Sequence, residues 1–167
     1  MIRADSLALN FKVTTTVEKY YPSICKFFDF VEKELGARIE ITAHPKSKHP
    51  DHPEYFGGRH TTQGNTCGMI GNSRFVMAHS STAIQFAILH KKPILFLTTD
   101  EFEKDELLSG ETDVIKAFAK SLGKTPINID KPLAIEWEKE LHVDEKLYDD
   151  YIDLYIKKRG SEELNNW

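Results

Sequence analysis

The sequence predicts an α/β fold, a Rossmann-like parallel sheet flanked by helices, and three observations carry that expectation. Phe75–Ala78 and Ile94–Leu97 are short apolar runs without helical period, which suits strands buried on both faces. Between them, Ala83–His90 sets Ile84, Ala87 and Ile88 at helical spacing, ends in the cations His90-Lys91-Lys92, and is stopped by Pro93. Strand-like and helix-like segments alternate over the rest of the chain, the pattern of a parallel sheet joined by right-handed crossovers.

The elements follow in order. Ser6–Val13 alternates Leu7, Leu9, Phe11 and Val13, a period of two that suits a strand or an extended arm. Tyr21-Pro22-Ser23 opens a helix with proline near its start, Ile24, Phe27, Phe28, Val31 and Leu35 give it one apolar face, and Gly36 ends it. Arg38–Ala43 is a strand running into His44-Pro45. Lys46–Gln63, rich in Pro, His, Gly and Asp, reads as a long loop, and loops of that length usually carry function. Gly64–Asn72 is a short helix before the central strand. Asp100–Leu108 and Glu111–Leu122 are two helices broken at Ser109-Gly110, Pro126–Ile129 is a short strand, and Leu133–Leu141 and Asp144–Lys158 are amphipathic helices.

At 167 residues the chain is expected to form one domain, with residues 1–20 as an arm or strand and 132–167 as carboxyl-terminal helices. A content of 40% hydrophobic and 29% charged residues suits a soluble globular protein. There is no run of about 18 apolar residues and no leader-like segment, so no transmembrane span is expected. A net charge of -4 argues against nucleic acid as a partner. Cys25 and Cys67 fit neither a paired metal spacing nor a disulfide framework, so the expected setting is a reducing cytoplasm.

Two loops should stand at the carboxyl ends of strands, His44-Pro45-Lys46 and His79-Ser80-Ser81-Thr82. If those strands are neighbours, the loops face one crevice, which is where open parallel sheets bind ligands. Ser80, Ser81 and Thr82 would offer hydroxyl and N–H donors to a phosphate, with Lys46, Arg59 and protonable imidazoles opposite. The plainer account of Ser80-Ser81-Thr82 is a helix N-cap, and that of His79 is a structural histidine bonded to a neighbouring carbonyl. Phe56-Gly57-Gly58-Arg59 is either a tight turn or a close approach of backbone and cation to a ligand. Thr99 and Asp100 cap the next helix or touch a sugar hydroxyl. His44, His49, His52 and His60 fall in one stretch, but their spacing matches no common zinc pattern, so no metal is expected.

His44-Pro45, then His79-Ser80-Ser81-Thr82-Ala83 thirty-five residues on, then Lys92-Pro93-Ile94 before a buried strand, resembles the nucleotide-binding half of GT-B glycosyltransferases. The resemblance runs from about Tyr20 to Glu106. It is nearest to bacterial surface-polysaccharide transferases, including capsule and lipopolysaccharide sialyltransferases and CDP-glycerol glycerophosphotransferases. It implies a donor-binding unit in which His44 and Pro45 meet the nucleotide, Ser80, Ser81 and Thr82 hold its phosphate, and His44 or His79 neutralises the leaving phosphate. The donor would be a nucleotide-activated sugar or polyol phosphate, with CMP- or CDP-linked donors favoured, and no metal or other cofactor is implied. The acceptor, a glycan or lipid-linked glycan at the inner face of the cell membrane, would be held by an amino-terminal domain that also carries the catalytic base. The isolated chain is then expected to bind nucleotide but turn over little. The alternatives are a metal-dependent hydrolase built on the His-rich loop, a non-catalytic interaction module, and half of a nucleotide-sugar epimerase.

Overall fold

A computed structural model of the chain describes residues 16–44, 52–104, 109–157 and 160. The expected strand Ser6–Val13, Pro45, Lys46, His49 and Trp167 lie outside them. Among the described residues, five short strands form two parallel sheets flanked by helices, the α/β architecture expected. β1 (Ile41–Ala43) pairs with β2 (Thr61–Gln63), while β3 (Val76–Ala78), β4 (Ile94–Thr98) and β5 (Ile127–Asn128) form the larger sheet in that order.

β4 is the centre of the fold, because all five of its residues are buried. Its period of two sends Ile94 and Phe96 to one face and Leu95 and Leu97 to the other. On the first face they meet α2 (Thr66–Asn72), α3 (Ile84–Leu89), α5 (Ser109–Ser121) and α7 (Glu145–Tyr151), through Ile70, Ile84, Ile88, Ile115 and Tyr148. On the second they meet α1 (Val17–Leu35), through Tyr20, Ile24, Phe27, Phe28 and Val31. A continuous apolar run thus becomes the middle of three layers.

α1 starts at Val17, so Pro22 lies inside the helix and not at its opening. The proline removes the bond to the carbonyl of Glu18, an exposed residue in the first turn of the helix, where water can take its place. Burial of the apolar face extends the helix through that gap. Gly36, at φ 56°, closes it as expected.

β2 lies inside the segment expected to be loop. Thr61-Thr62-Gln63 has no apolar alternation, and pairing with β1 makes it a strand, with Ile41 N–H donating to His60 O at 2.9 Å. At the other end of the chain, only Trp137–Glu140 of the expected helix Leu133–Leu141 is helical (α6); Leu133 and Ile135 pack against the α1 cluster from outside any helix. Trp137 stacks on Phe30, with ring centroids 6.0 Å apart. Asp144 caps α7 by accepting from Leu147 N–H at 3.1 Å, and a π-helical turn, Ile152–Ile156, follows.

α3 ends in a left-handed residue that is not glycine. Lys91 has φ 51°, and Lys92 N–H turns back to Ala87 O at 2.8 Å. The Lys91 ammonium is paired with Asp149 of α7, and Tyr148 O–H donates to Lys92 O at 2.9 Å, so the turn is held by α7. Lys91→Ala should therefore destabilise the fold, and Lys91→Gly should be about 1 kcal/mol more stable than the alanine variant because glycine is at ease at positive φ. Equal urea midpoints for the two variants would contradict this reading.

Candidate functional site

Parallel pairing fixes where the strand ends lie. Ala78 stands opposite Phe96 and Thr98 opposite Asn128, so β3, β4 and β5 deliver Ser80–Thr82, Thr99–Asp100 and Asn128–Asp130 to one carboxyl edge. At a spacing of about 4.8 Å between strands, the first and last of these tips are roughly 10 Å apart. Besides a cavity of equal volume beside Arg59, there is a crevice at the carboxyl edge of the larger sheet.

That crevice has a volume of about 440 Å³ and is walled by the first turns of α1 and of α4 (Asp100–Lys104), with Asp130 behind β5. Its lining holds four carboxylates, Glu18, Asp100, Glu101 and Asp130, against two ammonium groups, Lys19 and Lys104. Both cations are committed: Lys19 to Glu101 at 3.1 Å and Lys104 to Asp100 at 2.7 Å. Asp100 also accepts from Asn128 Nδ2 at 3.0 Å, and its backbone N–H donates to Asp130 Oδ2 at 2.8 Å. The hydrogen bond from Lys104, then that from Asn128, holds the Asp100 carboxyl below its ordinary range. The lining thus holds more carboxylates than ammonium groups and is rich in acceptors, suited to hydroxyl groups and unsuited to a bare phosphate.

Thr99 lines this crevice, but its hydroxyl accepts from Phe102 N–H at 3.1 Å, so it caps α4. Ser80 and Ser81 are half-buried and Thr82 is exposed. The N-cap expected of them is not formed: α3 begins at Ile84 with Ala83 at its N-cap, and its six residues supply little aligned dipole. Ser81 Oγ instead accepts from Ala83 N–H at 3.1 Å, a local turn.

Two expected site residues have partners within the protein. His79 is 4% exposed and does not face a crevice. Its Nδ1–H donates to Leu97 O at 2.7 Å, because a carbonyl can only accept; Nε2 is therefore the acceptor, taking the Tyr20 hydroxyl at 2.8 Å. Phe102 meets the ring edge-on at 5.0 Å. Burial is the main cause that lowers the pKa of His79 to about 4, so the ring is neutral and structural. Arg59 is spent as well: it binds Glu32 through Nε and Nη2 at 3.2 and 2.6 Å, reaches Asp29, and lies over the Phe28 ring at 5.3 Å. Its hydrogen bonds are the main cause that holds the Glu32 carboxyl below its usual range.

His44 and His79 are expected to share a crevice if their strands are neighbours. Among the described residues β1 pairs with β2 and β3 with β4, so their strands are not hydrogen-bonded to each other. His44 is half-buried at the end of β1, where its backbone oxygen accepts from Gln63 Nε2 at 3.2 Å. His52 pairs with Glu54 at 2.9 Å and stacks on Tyr55, and among the described residues no three ligating side chains come together as a metal site.

Sequence reasoning missed Glu18, Lys19, Tyr20 and Asp130. Asp130 had a signal, since it directly follows an expected strand; the other three lie before the first apolar residue of the periodic face, where no local pattern marks the start of α1. No helix among the described residues is long and apolar enough to cross a membrane. No protein-family model, curated protein or solved structure matches the chain.

Proposed function

We propose that this chain is the donor-binding unit of a transferase for surface-polysaccharide assembly, binding a nucleotide-activated sugar or polyol phosphate along the carboxyl edge of β3, β4 and β5. The observation that supports this most is the crevice of about 440 Å³ at that edge, walled by acceptors and adjoining a strand tip with three hydroxyls. The order of the tips divides the ligand. The phosphate lies at Ser80–Thr82, at the end away from Asp130, where Coulomb repulsion from the carboxylates is weakest. The ribose or sugar hydroxyls enter the crevice and donate to Asp100, Glu101 and Asp130.

With His79 and Arg59 committed elsewhere, the unit supplies position and hydrogen bonds but little positive charge. Binding by the isolated chain is then weak, and turnover waits on groups outside the described residues. Isothermal titration with CMP, CDP, UMP and UDP at millimolar concentrations tests the reading, and heat of binding with at least one of them is expected. Ser81→Ala and Asp130→Asn should each weaken that binding by about 1–3 kcal/mol through loss of charge-assisted hydrogen bonds. No heat with any nucleotide, or unaltered affinity in both variants, would overturn it.

A further inference from the structure

We propose that Cys67 and His90 form a reactive thiol–imidazole pair and that Cys67 is the position at which this chain takes up small disulfides. The pair lies outside the crevice. Cys67 is exposed in the first turn of α2, and its Sγ lies 3.7 Å from Nε2 of His90, the exposed residue that closes α3. The imidazole is held in place by packing. A Cβ at Gly71 would stand 3.2 Å from its Cε1, so the bare glycine makes the room in which the ring rests.

The imidazole beside the thiol can take its proton as the sulfur attacks, the role of a general base toward a nucleophile. In the exchange, the Cys67 sulfur attacks one sulfur of R–S–S–R and a new S–S bond forms as the old one breaks. The R–S⁻ that leaves takes up the proton that His90 received from Cys67, giving a mixed disulfide and one R–SH. No oxidant other than the incoming disulfide is needed. Cys25 is the internal contrast. It is half-buried on the flank of α1, its Sγ–H donates to Tyr55 O at 3.5 Å, and burial is the main cause that pushes its thiol up.

The test uses the full chain and oxidised glutathione at neutral pH, followed by intact mass and peptide mapping. One adduct, at Cys67, is expected to form first. His90→Ala should slow it by about tenfold or more, the scale on which a positioned base acts. Imidazole added to the buffer should then restore part of the lost rate, which a merely structural role for His90 would not allow. Gly71→Ala, which crowds the ring without removing it, should slow the reaction too. First modification at Cys25, or an unchanged rate in both His90→Ala and Gly71→Ala, would overturn the proposal.

Discussion

Acidifying a solution of this protein should cost the fold about 3 kcal/mol through His79 alone. In the unfolded chain the imidazole has its ordinary pKa of 6.5, and in the folded chain burial between Tyr20, Leu97 and Phe102 brings it to about 4. As pH falls below 6.5 the unfolded chain gains a proton that the folded chain refuses until about 4. The stability is therefore present in full above the upper value and is lost on the way to the lower one. Urea titrations across this range read the effect directly. His79→Gln should start less stable, because two buried hydrogen bonds are disturbed, but the extra fall between the two pH limits should disappear from its curve. Parallel curves for wild type and variant would show that His79 does not titrate as its burial requires.

Arg59→Ala should lower the unfolding free energy by about 2–3 kcal/mol, a partly buried ion pair broken from one side. The Arg59 side chain is 11% exposed and serves Glu32, Asp29 and the Phe56 carbonyl at once. Its removal leaves Glu32, 28% exposed, with only the Ile39 N–H among those bonds. It also unties the turn at Gly57 and Gly58, both at positive φ, from α1. Lysine cannot reproduce the fork, so Arg59→Lys should recover only part of the loss. The same variant separates two roles for this cation. A structural arginine moves the urea midpoint and leaves nucleotide affinity alone; a ligand-binding arginine does the opposite.

The α/β class was legible in the sequence because β4 carries it: five consecutive buried residues between a proline and a helix cap admit few other readings. The helix over Ile24–Val31 was legible for the same reason, a clean apolar face. What escaped depends on contacts between distant segments. Thr61–Gln63 is a strand only because β1 lies beside it, and α1 begins at Val17 because Tyr20 and Tyr21 find burial that no local propensity announces. The candidate site was harder still. His79 and Arg59 are residue types that serve ligands and cores alike, and only the positions of Tyr20, Leu97, Asp29 and Glu32 decide between the two. The hydroxyl tip after β3, the Thr99 cap and the edge they share were legible from the parallel alternation of strands and helices, but the acidity of the crevice beside them does not follow from local pattern.

Amide chemical-shift mapping during titration with CMP and CDP tests the central claim most directly. The account predicts that the signals that move form one contiguous set, Ser80–Thr82 with Thr99–Glu101 and Asn128–Asp130, three segments far apart in sequence and joined only at the carboxyl edge of the larger sheet. Signals that move around Arg38, Arg59 and His60, toward the carboxyl-terminal end of α1, or no signals that move at all, would contradict it.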